Sequence, residues 1–238
     1  GNLHFEGIMI FFLLLAIYFL NKQKLTVSAI AFGFAIGAKL WPIMLMPLLF
    51  KRLGFKQTII YSFISGVVSI IILFPMVLQY ANIFSSLNLY FQQFEFNASV
   101  YYLLRWIINK DENFETFTLM RQLLPLVTVI AISVLSYFYQ KDKFITALQL
   151  AFSIYCLFAT TMHPWYITPL IMLSVFSGYR YAILWSLLIY FTYITYIDIT
   201  YPENYFVVVM EYLIVIGYCG YEIINRNNLM KKNNIQIR

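Results

Sequence analysis

The chain has 238 residues, of which 62% are hydrophobic, 20% are aromatic and only 11% are charged. Soluble globular domains carry about 25% charged residues and about 45–50% apolar ones. With 16 basic and 10 acidic side chains, the chain has too few charges to solvate a globular surface. Composition therefore argues against a soluble protein and predicts one all-α domain over residues 1–238, a polytopic transmembrane helical bundle.

The sequence begins at Gly1 rather than at Met, and it has no basic region followed by a short apolar stretch and a cleavage site. Those features mark a secretory signal peptide. We therefore expect the chain to be an N-terminally truncated fragment, the C-terminal part of a longer protein.

Nine apolar stretches follow one another along the chain and predict about nine membrane segments. A helix that crosses a membrane needs about 20 apolar residues, and fewer where it is broken or the bilayer is thin. The stretches cover residues 7–20, 25–38, 42–50, 58–80, 119–139, 144–161, 165–177, 181–197 and 205–224.

The sequence over residues 25–50 predicts a short broken hairpin. As a single helix it would reach about 39 Å, which is enough for one crossing but not for two. Pro42 removes a helix hydrogen bond and disfavours a helical conformation at Trp41. Broken backbone at membrane depth is tolerated only where protein or a water-filled cavity covers it. We therefore expect the hairpin tip, with Lys39, to line a cavity.

Residues 81–118 are predicted to form an external amphipathic segment. The runs 90–97 and 99–106 place aromatic residues and leucines beside Gln, Glu and Arg, a composition that favours helices lying in the membrane interface. The alternative is a connecting loop. Asn97-Ala-Ser99 also matches the acceptor triplet for N-glycosylation.

The distribution of Lys and Arg predicts the orientation, because cytoplasmic loops hold the excess of these residues. If the chain starts outside, twelve of its 16 basic residues fall on the inner side. The active face is then extracytoplasmic, and residues 225–238 form a basic cytoplasmic tail. Nucleic-acid binding needs a contiguous basic face, which these scattered charges do not form. The basic residues left outside are Lys39, Arg105, Lys110 and Arg121.

Polar and ionisable residues near the membrane collect on the predicted outer side. Such groups cost about a few kcal/mol each at membrane depth, so they usually face a cavity and mark function. They are His4, Glu6, Lys39, Glu95, Asn97, Arg105, Arg121, His163 and Glu211.

Three of these groups, Lys39, Arg105 and His163, are predicted to bind a lipid phosphate as an anion clamp. Arg offers a planar fork to phosphate oxygens and Lys a point charge. Glu6 is a supporting candidate for acid–base chemistry, assisted by His4. The alternatives are ordinary interfacial roles: Lys39 and Arg105 reaching towards water, His163 in an aromatic belt, and Glu6 at a helix N-terminus.

Other chemistries have no support in the sequence. It contains no Walker loop, dinucleotide fingerprint, His-x-x-x-His or Cys-x-x-Cys. Because its two histidines are far apart, an all-protein zinc site is not expected. No metal site and no cofactor are predicted, and a requirement for a divalent metal stays open.

Four short motifs occur in order over residues 1–178: Gly1-Asn-Leu-His-Phe-Glu-Gly7, Gly37-Ala-Lys-Leu-Trp-Pro42, Phe94-Glu-Phe-Asn-Ala-Ser99 with Leu103-Leu-Arg105, and His163-Pro-Trp-Tyr166. They resemble motifs of the GT-C superfamily of integral-membrane glycosyltransferases. The third is similar to the external segment of bacterial mannosyltransferase-like members.

The resemblance implies an inverting transfer of a hexose, with mannose the first guess, from a polyprenyl-phosphate donor. The acceptor would be an extracytoplasmic glycan or lipid of the cell envelope. The main catalytic acid of the family lies in the first external loop, which here would be upstream of Gly1, and this leaves Glu6 and His4 as supporting residues. Candidates for cavity or acceptor contacts are Glu95, Asn97, Trp165, Tyr166 and Glu211.

A transporter or flippase of lipid-linked saccharides is the alternative function. Such proteins have paired repeats with broken helices in both halves. The sequence shows one broken hairpin, at residues 39–42, and no clear counterpart, which favours the transferase.

Overall fold

The computed structural model describes residues 4–78, 95–108, 114–197 and 202–236. Within these ranges the chain is helical apart from turns and one isolated β-bridge, so the all-α prediction is confirmed. Ten α-helices are described: α1 (Glu6–Asn21), α2 (Leu25–Ala38), α3 (Met46–Leu53), α4 (Phe55–Val77), α5 (Val100–Ile108), α6 (Phe114–Phe138), α7 (Phe144–Phe158), α8 (Thr168–Ser177), α9 (Tyr181–Leu188) and α10 (Tyr205–Gln236).

Each predicted apolar stretch coincides with helical structure, but several are divided by short 3-10 segments. The stretch 25–38 is α2 itself, whereas 181–197 is split into α9 and a 3-10 segment. These breaks shorten the continuous α-helices. The 3-10 segments are Trp41–Leu45, Lys141–Lys143, Pro164–Ile167 and Ile189–Ile197.

Three helices in the described ranges are long and apolar enough to cross a membrane: α4 over Phe55–Met76, α6 over Thr116–Phe138 and α10 over Tyr205–Arg226. The shorter apolar helices include α1, with 16 residues. A helix of that length extends about 24 Å, less than the roughly 30 Å of a hydrocarbon core. The chain is therefore a membrane protein, but helix length does not support the prediction of nine membrane segments.

The outer surfaces of the long helices are apolar. Phe63 and Ile71 on α4 are 71% and 67% exposed, and Phe206 on α10 is 73% exposed. Apolar surface in water costs about 25 cal/mol per Å², so large contiguous exposed areas of this kind are found where lipid covers them. The exposure pattern agrees with helix length in placing these helices in a membrane.

Helices α1, α2 and α4 pack together closely. The Ser28 hydroxyl on α2 donates to the Ala16 carbonyl oxygen at 2.7 Å and shares a 2.9 Å hydrogen bond with the Tyr61 hydroxyl. Gly33 permits the approach of α2 to α4, because a Cβ there would lie 2.7 Å from the Ser65 carbonyl oxygen. The α1–α2 pair is antiparallel, since Glu6 at the start of α1 pairs with Lys39 after the end of α2.

The predicted hairpin is present. Lys39 is extended, with φ −159° and ψ 131°, and a 3-10 segment and α3 follow. The chain then turns back, so that the Arg52 guanidinium reaches the Asn21 side-chain oxygen at 3.2 Å, beside the start of α2. The chain therefore reverses at residues 39–42, as Pro42 predicts.

A second broken hairpin, between α7 and α8, was not predicted. His163 is extended, with φ −89° and ψ 153°, and a 3-10 segment with proline in its first turn follows, as it does after Lys39. Both following helices carry a proline at one of their first two positions, Pro47 in α3 and Pro169 in α8. The prediction of a single broken hairpin is therefore wrong. The two breaks have dissimilar sequences, so the sequence does not reveal that their backbones are alike.

The charged residues occupy two ends of the bundle. At the basic end, the Arg52 guanidinium donates to the Lys141 carbonyl oxygen at 3.0 Å, and the Arg226 guanidinium donates to the Ser177 carbonyl oxygen at 2.8 Å. At the other end, which we call the polar end, lie the pair Glu6–Lys39 and the carboxylate of Glu95. The predicted separation of the charges is thus present in the fold.

The external segment and the tail are only partly described. Helix α5 buries Tyr101, whereas Trp106 is 78% exposed. Within the predicted segment 81–118, residues 81–94 and 109–113 lie outside the described residues, and residues 114–118 begin α6. The predicted tail 225–238 continues α10 as a helix to Gln236.

Candidate functional site

The tips of the two hairpins meet at the polar end, beside the start of α1. The Lys39 ammonium, carried by the first tip, forms an ion pair with Glu6, whose side chain is only 7% exposed. The same ammonium lies 4.1 Å from the centre of the Tyr166 ring, on the second tip. A cation held by a carboxylate and a ring face is fixed in position, so this group is preorganised. We call Glu6, Lys39, His163 and Tyr166 the tip cluster.

Four rings stack in a row beside the tip cluster. The ring centres of His4 and Trp165 are 4.1 Å apart, those of Trp165 and His163 are 4.4 Å apart, and those of His163 and Phe96 are 5.0 Å apart. Pro164 starts a turn that brings the His163 and Trp165 rings together. Both faces of Trp165 are therefore covered by imidazole rings.

Two acceptor atoms of the tip cluster lack a hydrogen-bond partner. Both Glu6 Oε2 and His163 Nδ1 are buried, and an unmet buried polar atom costs about 1–3 kcal/mol. Burial, together with the positive charges of His4 and Lys39, lowers the pKa of His163 to about 4. His163 is therefore neutral at pH 7. Its Nδ1 accepts a hydrogen bond when the ring proton is on Nε2.

Arg105 does not join the tip cluster, which corrects the predicted three-residue clamp. Its guanidinium pairs with Glu95 at 2.6 Å, and Arg121 pairs with the other carboxylate oxygen. The Tyr101 hydroxyl bonds both Glu95 and Arg121, at 2.9 and 3.0 Å. The structure thus places Lys39 with His163 but Arg105 elsewhere, and the neutral His163 supplies no positive charge at pH 7. Arg121, a basic residue inside a long apolar helix, was not selected as a binding residue.

Asn97 lies in a third cluster, which is buried. Its side-chain amide donates to both oxygens of Glu211 at 3.2 Å, and its backbone N–H donates to Glu203 at 2.8 Å. The Trp185 indole N–H also donates to Glu211, at 2.7 Å. Asn97 is fully buried and has a positive φ of 49°, so its amide is inaccessible to a glycosylating enzyme in this fold. Glu203 was not predicted, since in the sequence it is an ordinary loop residue.

Three consecutive residues connect the external segment to these groups. Glu95 pairs with Arg105 and Arg121. Phe96 ends the ring stack, and Asn97 belongs to the buried cluster. The backbone of Phe96 is held by hydrogen bonds from its N–H to the Thr160 carbonyl oxygen at 3.1 Å and from Met162 N–H at 2.7 Å. The segment is therefore inserted between the second hairpin and α10.

An apolar cavity of about 230 Å³ lies beside the first hairpin tip. Leu40 and Trp41 from the tip line it, whereas Lys39, which was expected to line a cavity, is not among its lining residues. Arg121, Thr160 and Thr161 are its main polar residues. Its other lining residues are Ile43, Met44, Leu124, Pro125, Thr128, Tyr155, Phe158 and Ala159.

In the part of the chain that the structure describes, no three or more His, Cys, Asp or Glu residues are grouped so that they could hold a metal ion. The tip cluster contains one carboxylate and one neutral imidazole beside a lysine. The positive charge in that cluster is the Lys39 ammonium.

No family model, curated protein or solved structure matches this chain. The resemblance of its four motifs to the GT-C superfamily therefore stays a prediction.

Proposed function

We propose that this protein is a membrane glycosyltransferase that transfers a hexose, mannose being the first guess, from a polyprenyl-phosphate donor. The acceptor is an extracytoplasmic glycan or lipid of the cell envelope. The observation that carries the proposal is the pair of unpartnered acceptors, Glu6 Oε2 and His163 Nδ1, beside the Lys39 ammonium. Buried acceptors require donors, and sugar hydroxyls are donors of the right kind.

The apolar cavity supports a substrate that has both a charged group and a hydrocarbon chain. Leu40 and Trp41 line it and directly follow Lys39 in the chain. A lipid phosphate near the Lys39 ammonium would leave its chain next to apolar walls. This arrangement accounts for a charge and an apolar cavity being side by side at one end of a membrane bundle.

In the proposed reaction an acceptor hydroxyl oxygen attacks the anomeric carbon of the donor, and its proton passes to the free oxygen of the Glu6 carboxylate. The bond from that carbon to the phosphate oxygen breaks, and the lipid phosphate leaves with the electron pair. Lys39 stabilises the charge that develops on the leaving phosphate, as preorganised cations do. Glu6 and His163 accept hydrogen bonds from hydroxyl groups and orient them, and His4 holds Trp165 in the ring stack.

We also propose an orientation, with the polar end extracytoplasmic and the basic end and the C-terminus cytoplasmic. The excess of Lys and Arg at the basic end supports it, because cytoplasmic loops are enriched in these residues. In this arrangement α1, α2, α8 and α9, too short to span an ordinary bilayer alone, lie at partial depth between the three long helices.

A second candidate function is a transporter or flippase of lipid-linked saccharides. The second broken hairpin favours it, because transporters bind substrate between paired broken helices. Lys39 and His163 each lie in extended backbone close before the 3-10 segment of their hairpin, and both belong to the tip cluster. The transferase remains the first candidate, since hydroxyl orientation by Glu6 and His163 serves chemistry on the sugar.

The deciding experiment supplies the purified full-length protein in proteoliposomes with a radiolabelled polyprenyl-phosphate hexose and a glycan acceptor. We expect transfer, and we expect Lys39→Ala to reduce it at least about 100-fold, as for loss of one group that stabilises a developing charge. Lys56→Ala, which removes an exposed lysine at the basic end, is the matched control and should keep full activity.

Three outcomes would contradict the proposed function or the role of Lys39 in it. If Lys39→Ala leaves the rate of transfer unchanged, Lys39 does not stabilise the leaving phosphate. Movement of labelled lipid across the bilayer without any transfer would establish the flippase instead. Equal loss in Lys39→Ala and Lys56→Ala would show that the loss is not specific to the tip cluster.

A further inference from the structure

A narrow pocket lies where the external segment meets the 3-10 segment Ile189–Ile197 and the start of α10. Oxygen-bearing side chains line much of it, and it has no room for a water molecule. Phe96 and Asn97 of the external segment line it, and no residue of the tip cluster does. The oxygen-bearing residues in its lining are Asn97, Thr192, Thr195, Glu203 and Asn204.

Two buried oxygen atoms of this lining have no hydrogen-bond partner, Asn97 Oδ1 and Glu203 Oε2. Asn97 is fully buried. The Asn97 backbone N–H and the Tyr102 hydroxyl donate to Glu203, yet Glu203 Oε2 has no hydrogen-bond donor. Both orphan atoms are acceptors, and a buried water needs room that this pocket lacks. A small positively charged species would satisfy both.

The orientation of the Asn97 amide is determined by its neighbour. Asn97 Nδ2 donates to both oxygens of Glu211 at 3.2 Å. The NH₂ group must therefore face Glu211, and Oδ1 points away from it. The Trp185 indole holds the carboxylate in place at 2.7 Å. Glu211 thus acts as a positioning residue for the amide oxygen.

The charges of this region are not balanced. Glu203 and Glu211 flank Asn97, and among the described residues neither forms an ion pair with Lys or Arg. Two N–H groups in the first turn of α10 bond Asn204 rather than Glu203: Val207 N–H bonds its side chain and Val208 N–H bonds its carbonyl oxygen. A cation bound here would compensate the buried carboxylate of Glu203.

We propose that Glu203, Asn97 and the neighbouring threonine hydroxyls form a binding site for a hard, oxygen-liganded divalent cation, Ca²⁺ in the first place. Ca²⁺ takes carboxylate, amide and hydroxyl oxygens in flexible geometry. The Thr192 hydroxyl donates to the Ile189 carbonyl oxygen at 2.6 Å. The lone pairs of the Thr192 oxygen are therefore available to an ion. The bound ion ties the external segment to α10, and the site does not depend on the proposed transferase activity.

The test measures Ca²⁺ binding by isothermal titration, using the full chain in metal-free lipid nanodiscs at pH 7.5. We expect one site with a dissociation constant of about 0.1–1 mM, as for sites with few charged ligands, and weaker binding of Mg²⁺, which demands near-ideal octahedral geometry. Glu203→Gln should weaken Ca²⁺ binding at least about tenfold, since affinity follows the number of charged ligands. Thr195→Val, which removes one buried hydroxyl, should also weaken it.

The matched control is Glu222→Gln. Glu222 lies on the same helix, and its carboxylate accepts backbone N–H bonds at the basic end, far from the pocket, so Ca²⁺ binding should be unchanged. Wild-type binding in both Glu203→Gln and Thr195→Val, or equal weakening by Glu222→Gln, would overturn the proposal. So would Mg²⁺ binding as tight as Ca²⁺ binding. Absence of Ca²⁺ binding, with a pH-dependent melting temperature that Glu203→Gln abolishes, would assign the site to a shared proton instead.

Discussion

The Glu6–Lys39 ion pair determines what the candidate site can bind. The Glu6 side chain is 7% and the Lys39 side chain 28% exposed, and one oxygen of the Glu6 carboxylate has no partner. An incoming phosphate would compete with Glu6 for the ammonium, whereas a hydroxyl would donate to the free oxygen. A polar lipid carrying both groups would reach the ammonium through its phosphate and the free Glu6 oxygen through its hydroxyl.

Removing one partner of this pair should destabilise the fold more than removing both. Lys39→Met leaves Glu6 buried without a cation, and we expect the free energy of unfolding to fall by about 1–3 kcal/mol. The double variant Glu6→Gln/Lys39→Met should recover most of that loss, because no unpaired charge remains. Unfolding of the purified proteins in detergent measures both. A double variant that is no more stable than Lys39→Met would contradict this account.

His163 should make stability depend on pH in the acidic range. Its pKa is lowered from 6.5 to about 4 in the fold, chiefly by burial. The unfolded chain therefore takes up a proton near pH 6.5, before the folded protein does. Stability is fully present above pH 6.5 and falls as the pH approaches about 4. We expect melting temperatures between pH 7 and pH 4 to fall more steeply for wild type than for His163→Gln. Parallel curves would exclude this role for His163.

At the scale of elements, the close packing of α2 on α4 depends on one glycine. A Cβ at Gly33 would lie 2.7 Å from the Ser65 carbonyl oxygen and 2.7 Å from the Val68 Cβ. Relieving these contacts requires the backbone of α4 to shift, which costs more than moving a flexible side chain. We expect Gly33→Ala to lower the free energy of unfolding by about 1–3 kcal/mol through overpacking.

Gly66 on α4 is the matched control. A Cβ there meets nothing within 4 Å, and alanine favours a helix over glycine by up to about 1 kcal/mol. Gly66→Ala should therefore leave the melting temperature unchanged or raise it, while Gly33→Ala lowers it. Equal effects of the two substitutions would show that the α2–α4 contact is not tight.

The two hairpins show how much of an element a local pattern predicts. Pro42 identifies the break of the first hairpin, because proline acts on its own and the preceding residue. The break before α8 includes extended residues from Ala159 onward, ahead of Pro164. That part of the backbone is held by its bonds to Phe96, a residue more than 60 positions away. No local pattern contains this information.

At the scale of the whole molecule, the proposed orientation predicts which residues a membrane-impermeant thiol reagent reaches. Leu40 at the polar end is 53% exposed, and Lys56 at the basic end is also exposed. In intact cells we expect Leu40→Cys to react and Lys56→Cys to react only after permeabilisation. Both are placed in a Cys219→Ser background, since the other cysteine, Cys156, is buried. The reverse labelling pattern would invert the topology.

The sequence by itself determined that the chain is an all-helical membrane protein, where its helices lie and how its charges sort into two ends. These properties follow from local apolar runs and from the positions of a few charges, which do not depend on partners. The tertiary structure decided which apolar runs are continuous helices, since only three of the described ones reach membrane-crossing length. It also decided that Arg105 pairs with Glu95 and that Glu203 flanks Asn97. A buried charge pairs with residues that the fold brings near, and the distances between these residues cannot be read from the sequence.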